Sequence, residues 1–319
     1  MTADKTIVIA LGGNAILQPG QEGTVLEQLK NVESTADQIA ELISRGYRVV
    51  ITHGNGPQVG AILIQQEAGR SRVPAMPLDV CGAQSQGLIG YMFQQSLGKV
   101  LARRSIAKPV ATVVTQMVVS PLDPAFQNPT KPVGPFYTED YARQRMQAAD
   151  ETWAEDAGRG WRRVVASPDP MRIVERDAIL SLVRSGAIVI AGGGGGIPVV
   201  ERNGHYEGVE AVIDKDLGAE CLAQDVKADI LMILTDVGRV AIHYNTPDQC
   251  DLATIALDEL CRYQKEGHFK AGSMGPKVEA CRRFVDRGGE AAIIASLEHA
   301  VDAVEGRCGT RIVRLPGNA

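Results

Sequence analysis

The stretch AIVIAGGGGGIPVV, residues 187–200, decides how this chain is read. Ala187–Ala191 is a short apolar run with β-branched side chains, which suits a strand buried on both faces. Five glycines, Gly192–Gly196, then end it. Glycine lets backbone N–H groups approach a bound oxyanion, because no Cβ stands in the way. Two other strand-like runs end alike. Thr6–Leu11 runs into Gly12-Gly13-Asn14, and Arg48–Thr52 runs into His53-Gly54-Asn55-Gly56-Pro57. Helical patterns lie between the strands, at Thr24–Arg45, Asp79–Arg103, Val174–Ser185, about Lys215–Gln224, Leu257–Glu266 and Pro276–Arg287. Further strands are predicted at Val110–Val114, Ile230–Leu234 and Ala291–Ile294, and Asn203-Gly204 reads as a hairpin turn. Strands alternating with helices predict an α/β fold with a mainly parallel sheet covered on both faces. Ligands of such sheets bind at the C-terminal strand ends, where all three glycine clusters fall.

From about Gln116 to Asp169 the texture changes. This segment holds six prolines, among them Pro129, Pro132 and Pro135, together with both tryptophans and one short helical pattern near Thr138–Ala149. It also carries Phe126, Phe136, Tyr137 and Val164-Val165 to pack. The chain therefore reads as one domain, 1–319, with residues 116–169 as an inserted subdomain.

Composition narrows the function classes. The chain is 45% hydrophobic and 22% charged, enough to bury a large core. Its net charge of −5 argues against a nucleic-acid partner. The longest apolar stretch is the one quoted above, and its glycines make it unfit to cross a membrane. The N-terminus lacks a signal-peptide plan. The six cysteines are scattered without a Cys-x-x-Cys pair, which argues against structural zinc and a disulfide framework and for a reducing, cytoplasmic setting.

Several glycine loops on one sheet edge suit a row of anionic groups, such as a nucleotide polyphosphate and an acceptor. None has a dinucleotide or Walker spacing: Gly54-Asn-Gly-Pro-Gln-Val-Gly60 is one residue too long, and Gly272-Ser-Met-Gly-Pro-Lys277 lacks the Gly-Lys-Ser/Thr end. Phosphoryl transfer needs cations about the moving group. Lys131, Lys215 and Lys277 sit in rigid Gly/Pro or Asp-flanked settings and are the candidates. Asp216 and Asp214 flank Lys215. Either could orient lysines or meet Mg²⁺, and Asp214 could equally cap a helix. A packed or loop-fixing role suits His53 better than that of a catalytic base, and Arg159, Arg162 and Arg163 read as a solvated face.

Together with ALGGNA (10–15), ITHGNGPQVG (51–60), PLDVCGAQSQGLIGYM (77–92), NPTKPVGPFYT (128–138), EDAGRGWRRVVASP (155–168), GVEAVIDKDL (208–217), LTDV (234–237) and EGHFKAGSMGPKVEA (266–280), these segments resemble the carbamate kinases of the amino acid kinase family. The resemblance runs from Ile7 to about Val313. It implies an open αβα sandwich with a mostly parallel central sheet and a protruding subdomain, and a homodimer. It also implies a Mg²⁺-dependent ATP/ADP site and the reaction ATP + carbamate ⇌ ADP + carbamoyl phosphate, usually run toward ATP. Gly12, Gly13, Asn14, Gly54, Asn55 and Gly56 would hold the acceptor and the transferring group, with Gly193, Gly194 and Gly195 lining the same cleft. Lys131, Lys215 and Lys277 would supply charge and Asp216 would organise them. Thr235, Asp236, Tyr244, Met274 and Gly275 would border the nucleotide. No protein ligand to the metal is assigned; Mg²⁺ would be held mainly by the nucleotide phosphates. Relatives such as acetylglutamate kinases carry Lys-x-Gly-Gly at the first loop. Here that lysine position is Ala10, and the resemblance suggests that Lys131 replaces it from the insertion. The alternatives are another small-carboxylate kinase of the family or a catalytically silent nucleotide-binding paralogue. The helix at Asp79–Arg103 carries Leu88, Ile89, Met92, Phe93 and Leu97, which either a dimer interface or a fully buried helix would explain.

Overall fold

Short apolar strands need cover on both faces, and helices from elsewhere in the chain supply it. A computed structural model describes residues 5–148, 151–156, 158–270 and 272–314. Its centre is an eight-stranded sheet in the order Thr254–Ala256, Thr310–Val313, Ala291–Ser296, Ile230–Thr235, Thr6–Leu11, Arg48–His53, Ile188–Ile190 and Val110–Thr112. The last six run parallel; Thr310–Val313 is antiparallel to its neighbour Ala291–Ser296 and parallel to the edge strand Thr254–Ala256.

Strand alternation splits the core in two. Ile7, Ile9 and Leu11 join one apolar cluster, under helices Val25–Ser44 and Leu78–Arg103. Val8 and Ala10 join the other, under helices Lys215–Asp225 and Met274–Asp286. Both faces of this strand are fully buried, and each buried Ile or Leu is worth roughly 1.5–3 kcal/mol. Local signals set the element ends. Thr24 and Glu27 form a reciprocal capping box at the first helix. Gly46 then takes φ +92°, and Asn203 and Gly204 take φ +50° and +80° in the hairpin turn.

Three smaller sheets flank this core. Gln116–Val119 pairs in parallel with Ile197–Arg202 and antiparallel with Pro170–Ile173, with His205–Gly208 completing four strands. Lys131–Tyr137, Trp161–Val165 and Thr152–Glu155 form an antiparallel three-stranded sheet with helix Glu139–Ala148 beside it. Val133 of this layer packs against Val59 and Ile62 of helix Gly56–Gly69. Val240–Ile242 and Cys250–Leu252 make a hairpin near the sheet edge. The whole 116–169 segment read as an insertion thus divides: 116–119 belongs to a sheet with 197–202, and the separate layer spans 131–165. In helix Leu78–Arg103, Ile89, Met92, Phe93 and Leu97 are buried in the core and only Leu88, of the five apolar residues singled out, is exposed. The apolar excess there is therefore spent mostly within the chain.

Candidate active site

The sheet order places four loops side by side at the C-terminal ends of parallel strands: Thr235-Asp236, Gly12-Gly13-Asn14, Gly54-Asn55-Gly56 and Gly192–Gly196. Backbone bonds tie neighbours together, from Gly12 N–H to the Leu234 carbonyl (3.0 Å) and from Gly54 N–H to the Leu11 carbonyl (2.9 Å).

Two clefts open over these loops. The larger is lined by Gly54, Asn55, Gly56, Gly193, Gly194, Lys131, Lys215, Asp216 and Lys277, among others. The smaller is lined by Gly12, Gly13, Asn14, Thr235 and Asp236. Lys215 and Lys277 line both, so the two cationic side chains stand at their junction. Between them lies Asp216, whose side chain is 4% exposed. It pairs with Lys215, and its Oδ2 accepts from Lys277 Nζ at 3.2 Å. Burial by itself would raise the Asp216 carboxyl; the two ammonium groups overturn that effect and hold it below its usual range. The charges are thus mutually fixed, with Lys215 on the first turn of one helix and Lys277 on the first turn of another.

Lys131 reaches the same cleft from the three-stranded layer. Its Nζ donates to Asp214 Oδ2 at 2.9 Å, while Asp214 Oδ1 caps the following helix by accepting from Asp216 N–H at 2.9 Å. The lysine that follows the insertion's Asn-Pro-Thr is thus paired while remaining partly exposed.

The glycines divide by cause. A Cβ at Gly193 would lie 2.5 Å from the His53 ring, and one at Gly194 2.3 Å from the Asn55 amide. Gly195 is buried under Ile213, whose carbonyl oxygen would be 2.6 Å from a Cβ. Packing calls for glycine at these three, and at Gly194 and Gly195 φ of +69° and +95° calls for it as well. At Gly13 and Gly56 nothing stands within 4 Å of the Cβ position and φ is not positive, so no contact inside the chain requires glycine there.

The remaining expected residues are more dispersed. Tyr244 is 60% exposed and lines a third cleft, with Arg239, Gln249 and Asp251, beside the 240–252 hairpin. Met274 packs partly against the core, and Gly275 N–H donates to the Lys270 carbonyl at 2.8 Å; neither lines these three clefts.

Several positioning residues lay outside the sequence reading. Gln86, 2% exposed, donates to the Gly193 carbonyl (2.9 Å) and to Thr115 O (3.2 Å), and accepts from Thr115 N–H (2.8 Å). Ser85 accepts from Asn55 Nδ2 at 2.8 Å. Polar residues at buried helix positions were the available signal. Arg162 differs from the solvated reading given to its cluster: it lines the larger cleft, donating to the Gly134 carbonyl (3.1 Å) and pairing with Asp156. His53 is fully buried and stacked on Phe93, and burial pulls its pKa down to about 4. A neutral imidazole donating from Nδ1 to the Gly54 carbonyl at 2.9 Å fixes the loop.

This fold has close counterparts. The amino acid kinase family matches residues 5–296. The chain belongs to that family. It is 61% identical to the carbamate kinase of Thermococcus kodakarensis over 97% of this chain and 99% of that protein. It is 59% identical to the carbamate kinase of Pyrococcus horikoshii, over 96% and 98% of the two chains. The structure of the carbamate kinase from Giardia lamblia bound to AMP-PNP superposes with a TM-score of 0.94, at 51% identity and over 99% of this chain and 100% of that one. As an amino acid kinase, the chain is a phosphotransferase with an α/β fold built on a large, mostly parallel sheet.

Proposed function

We propose that the chain is a carbamate kinase, moving a phosphoryl group reversibly between ATP and carbamate, and that it runs mainly from ADP and carbamoyl phosphate toward ATP. The observation that carries the reading is the Lys215–Asp216–Lys277 group at the junction of the two clefts. The clefts would hold the two substrates on either side of that junction.

The chemistry suits the residues. Carbamate attacks through an oxygen that is already anionic, so there is no proton for a general base to remove. Neutral, buried His53 is accordingly free to serve as a loop-fixing group. The barrier is repulsion between an anion and a polyanion, and fixed cations lower it. Gly12, Gly13 and Asn14 would face the phosphates in the smaller cleft; Gly54, Asn55 and Gly56 would face the acceptor and the transferring group. Gly193, Gly194 and Gly195 keep that wall thin. Lys131 would add its charge from the 131–165 layer, which acts as an inserted lid. Thr235 and Asp236 would border the nucleotide, and Tyr244, Met274 and Gly275 would lie toward its base.

Mg²⁺ would enter with the nucleotide. Asp214 and Asp216 are both engaged by lysines, and among the described residues no cluster of three or more His, Cys, Asp or Glu is placed to hold a metal. That donor set fits a metal carried on nucleotide phosphates, where it would neutralise phosphate charge. The partners are then ATP/ADP and carbamate or carbamoyl phosphate, with no nucleic acid or membrane. The chain would act in the cytoplasm, which its six free cysteines suit. A homodimer would cover exposed Leu88 and Tyr91, one turn apart on helix Leu78–Arg103; light scattering at micromolar protein checks this.

The deciding experiment is ATP formation from ADP and carbamoyl phosphate. We expect turnover far above the uncatalysed background; background-level ATP would end the proposal.

A further inference from the structure

The Lys131–Asp214 pair differs in kind from the Asp216 pairs. Asp216 is 4% exposed between lysines that are each 17% exposed. Lys131 is 36% exposed and Asp214 17%. A buried, doubly paired carboxylate fixes its partners. A half-exposed pair is weak, so an incoming anion can share its lysine at little cost.

We propose that Asp214 is a positioning residue for Lys131, holding the lid lysine over the cleft before the transferring phosphoryl group arrives. The inference rests on the phosphoryl-transfer reading above. The two carboxylate oxygens have separate tasks. Oδ1 accepts from Asp216 N–H and so sets the first turn that carries Lys215 and Asp216; Oδ2 accepts from Lys131 Nζ. One side chain therefore registers the lid against the helix that carries two of the fixed charges. A lysine side chain has high rotamer entropy. Left free, Lys131 would lose it during the reaction; docked on Asp214, it has lost part of it already. An ammonium has three donors, so one bond to Asp214 leaves two for phosphoryl oxygens.

The test is a double-mutant cycle of Asp214→Asn and Lys131→Ala, read as kcat for ATP formation, with ADP affinity and melting temperature measured beside it. Asparagine keeps a capping oxygen and removes the charge. We expect Asp214→Asn to lower kcat about tenfold in the parent enzyme and less than twofold when Lys131 is already alanine, because its effect passes through that lysine. ADP affinity should stay within about twofold in every variant. Asp214→Ser, also a capping residue without charge, should repeat the pattern, and it replaces the asparagine variant if that one melts early. An equal loss of kcat in both backgrounds would overturn the proposal and leave Asp214 a helix cap. So would unchanged kcat in Asp214→Asn. A parent enzyme that forms no ATP would overturn the proposed function itself, and the role of Asp214 with it.

Discussion

Replacing Asp216 by asparagine should disable the site through two lysines at once. The side chain lies between Lys215 and Lys277, 3.2 Å from the latter, and is 4% exposed. Removing one member of a buried charged pair costs about 3–5 kcal/mol when the other is left stranded. Here both lysines are 17% exposed, so water recovers part of that. About 2 kcal/mol is the expected loss, which for a domain of this size lowers Tm by roughly 3 °C. The catalytic loss should be larger. Two like charges with no anion between them will separate, and a misplaced transition-state contact of this kind costs about 10²–10³ in rate. The assay is ATP formation from ADP and carbamoyl phosphate at saturating substrates, beside a thermal melt. The pH dependence gives a second reading. The folded-state pKa of Asp216 is depressed, so its stabilisation is complete above its unfolded value, about 3.9. It is lost as pH falls through the lower folded value. The stability gap between parent and Asp216→Asn should therefore hold from neutrality to about pH 4 and narrow below it. A kcat within threefold of the parent, with an unchanged melt, would refute the assignment of Asp216 as the group that organises both lysines.

Other substitutions separate packing from ligand contact. Gly13→Ala has open space for its Cβ, so Tm should stay within about 1 °C while kcat/KM falls at least tenfold; unchanged kinetics would remove this loop from the phosphate site. Gly194→Ala must push aside the Asn55 amide at a φ of +69° and should destabilise by about 1–3 kcal/mol; an unchanged denaturant midpoint would show that the Asn55 side chain is not held there. Lys131→Ala should lower kcat far more than it weakens ADP binding, because its charge faces the cleft and not the hairpin side near Tyr244; a matching fall in ADP affinity, measured by calorimetry, would contradict this. His53 stays neutral when folded down to about pH 4 whereas the unfolded chain takes up that proton near 6.5. The unfolded state thus binds more protons between those values, and stability falls by about 3 kcal/mol as pH drops from 6.5 to 4. His53→Gln should flatten that part of the stability curve, and an unaltered slope would count against the buried neutral imidazole.

The α/β rhythm was legible in the sequence, as were the glycine loops at the strand ends. Apolar runs such as Ile7–Leu11 need cover on both faces whatever surrounds them. Thr24 with Glu27, Gly46 and Asn203-Gly204 act within a turn of the backbone, so their effect is written locally. The three lysines and Asp216 of the proposed site stood out in the sequence because motif and rigid context both marked them. What the lysines pair with did not. Lys131 meets Asp214 across 83 positions, and Lys277 meets Asp216 across 61; no local pattern encodes such distances. The short strands of 131–165 were missed for a related reason. They are half-exposed, the first carries two prolines, and only antiparallel pairing with one another makes them strands. Gln86 and Ser85 carried no mark in the sequence and Arg162 read as a solvated face; folding buries the first two beside the loops and sets Arg162, partly exposed, in the wall of the larger cleft. The need for glycine at Gly193 and Gly194, but not at Gly13, was likewise invisible. It depends on which side chain, His53 or Asn55, stands opposite, and only the packing of neighbouring strands decides that.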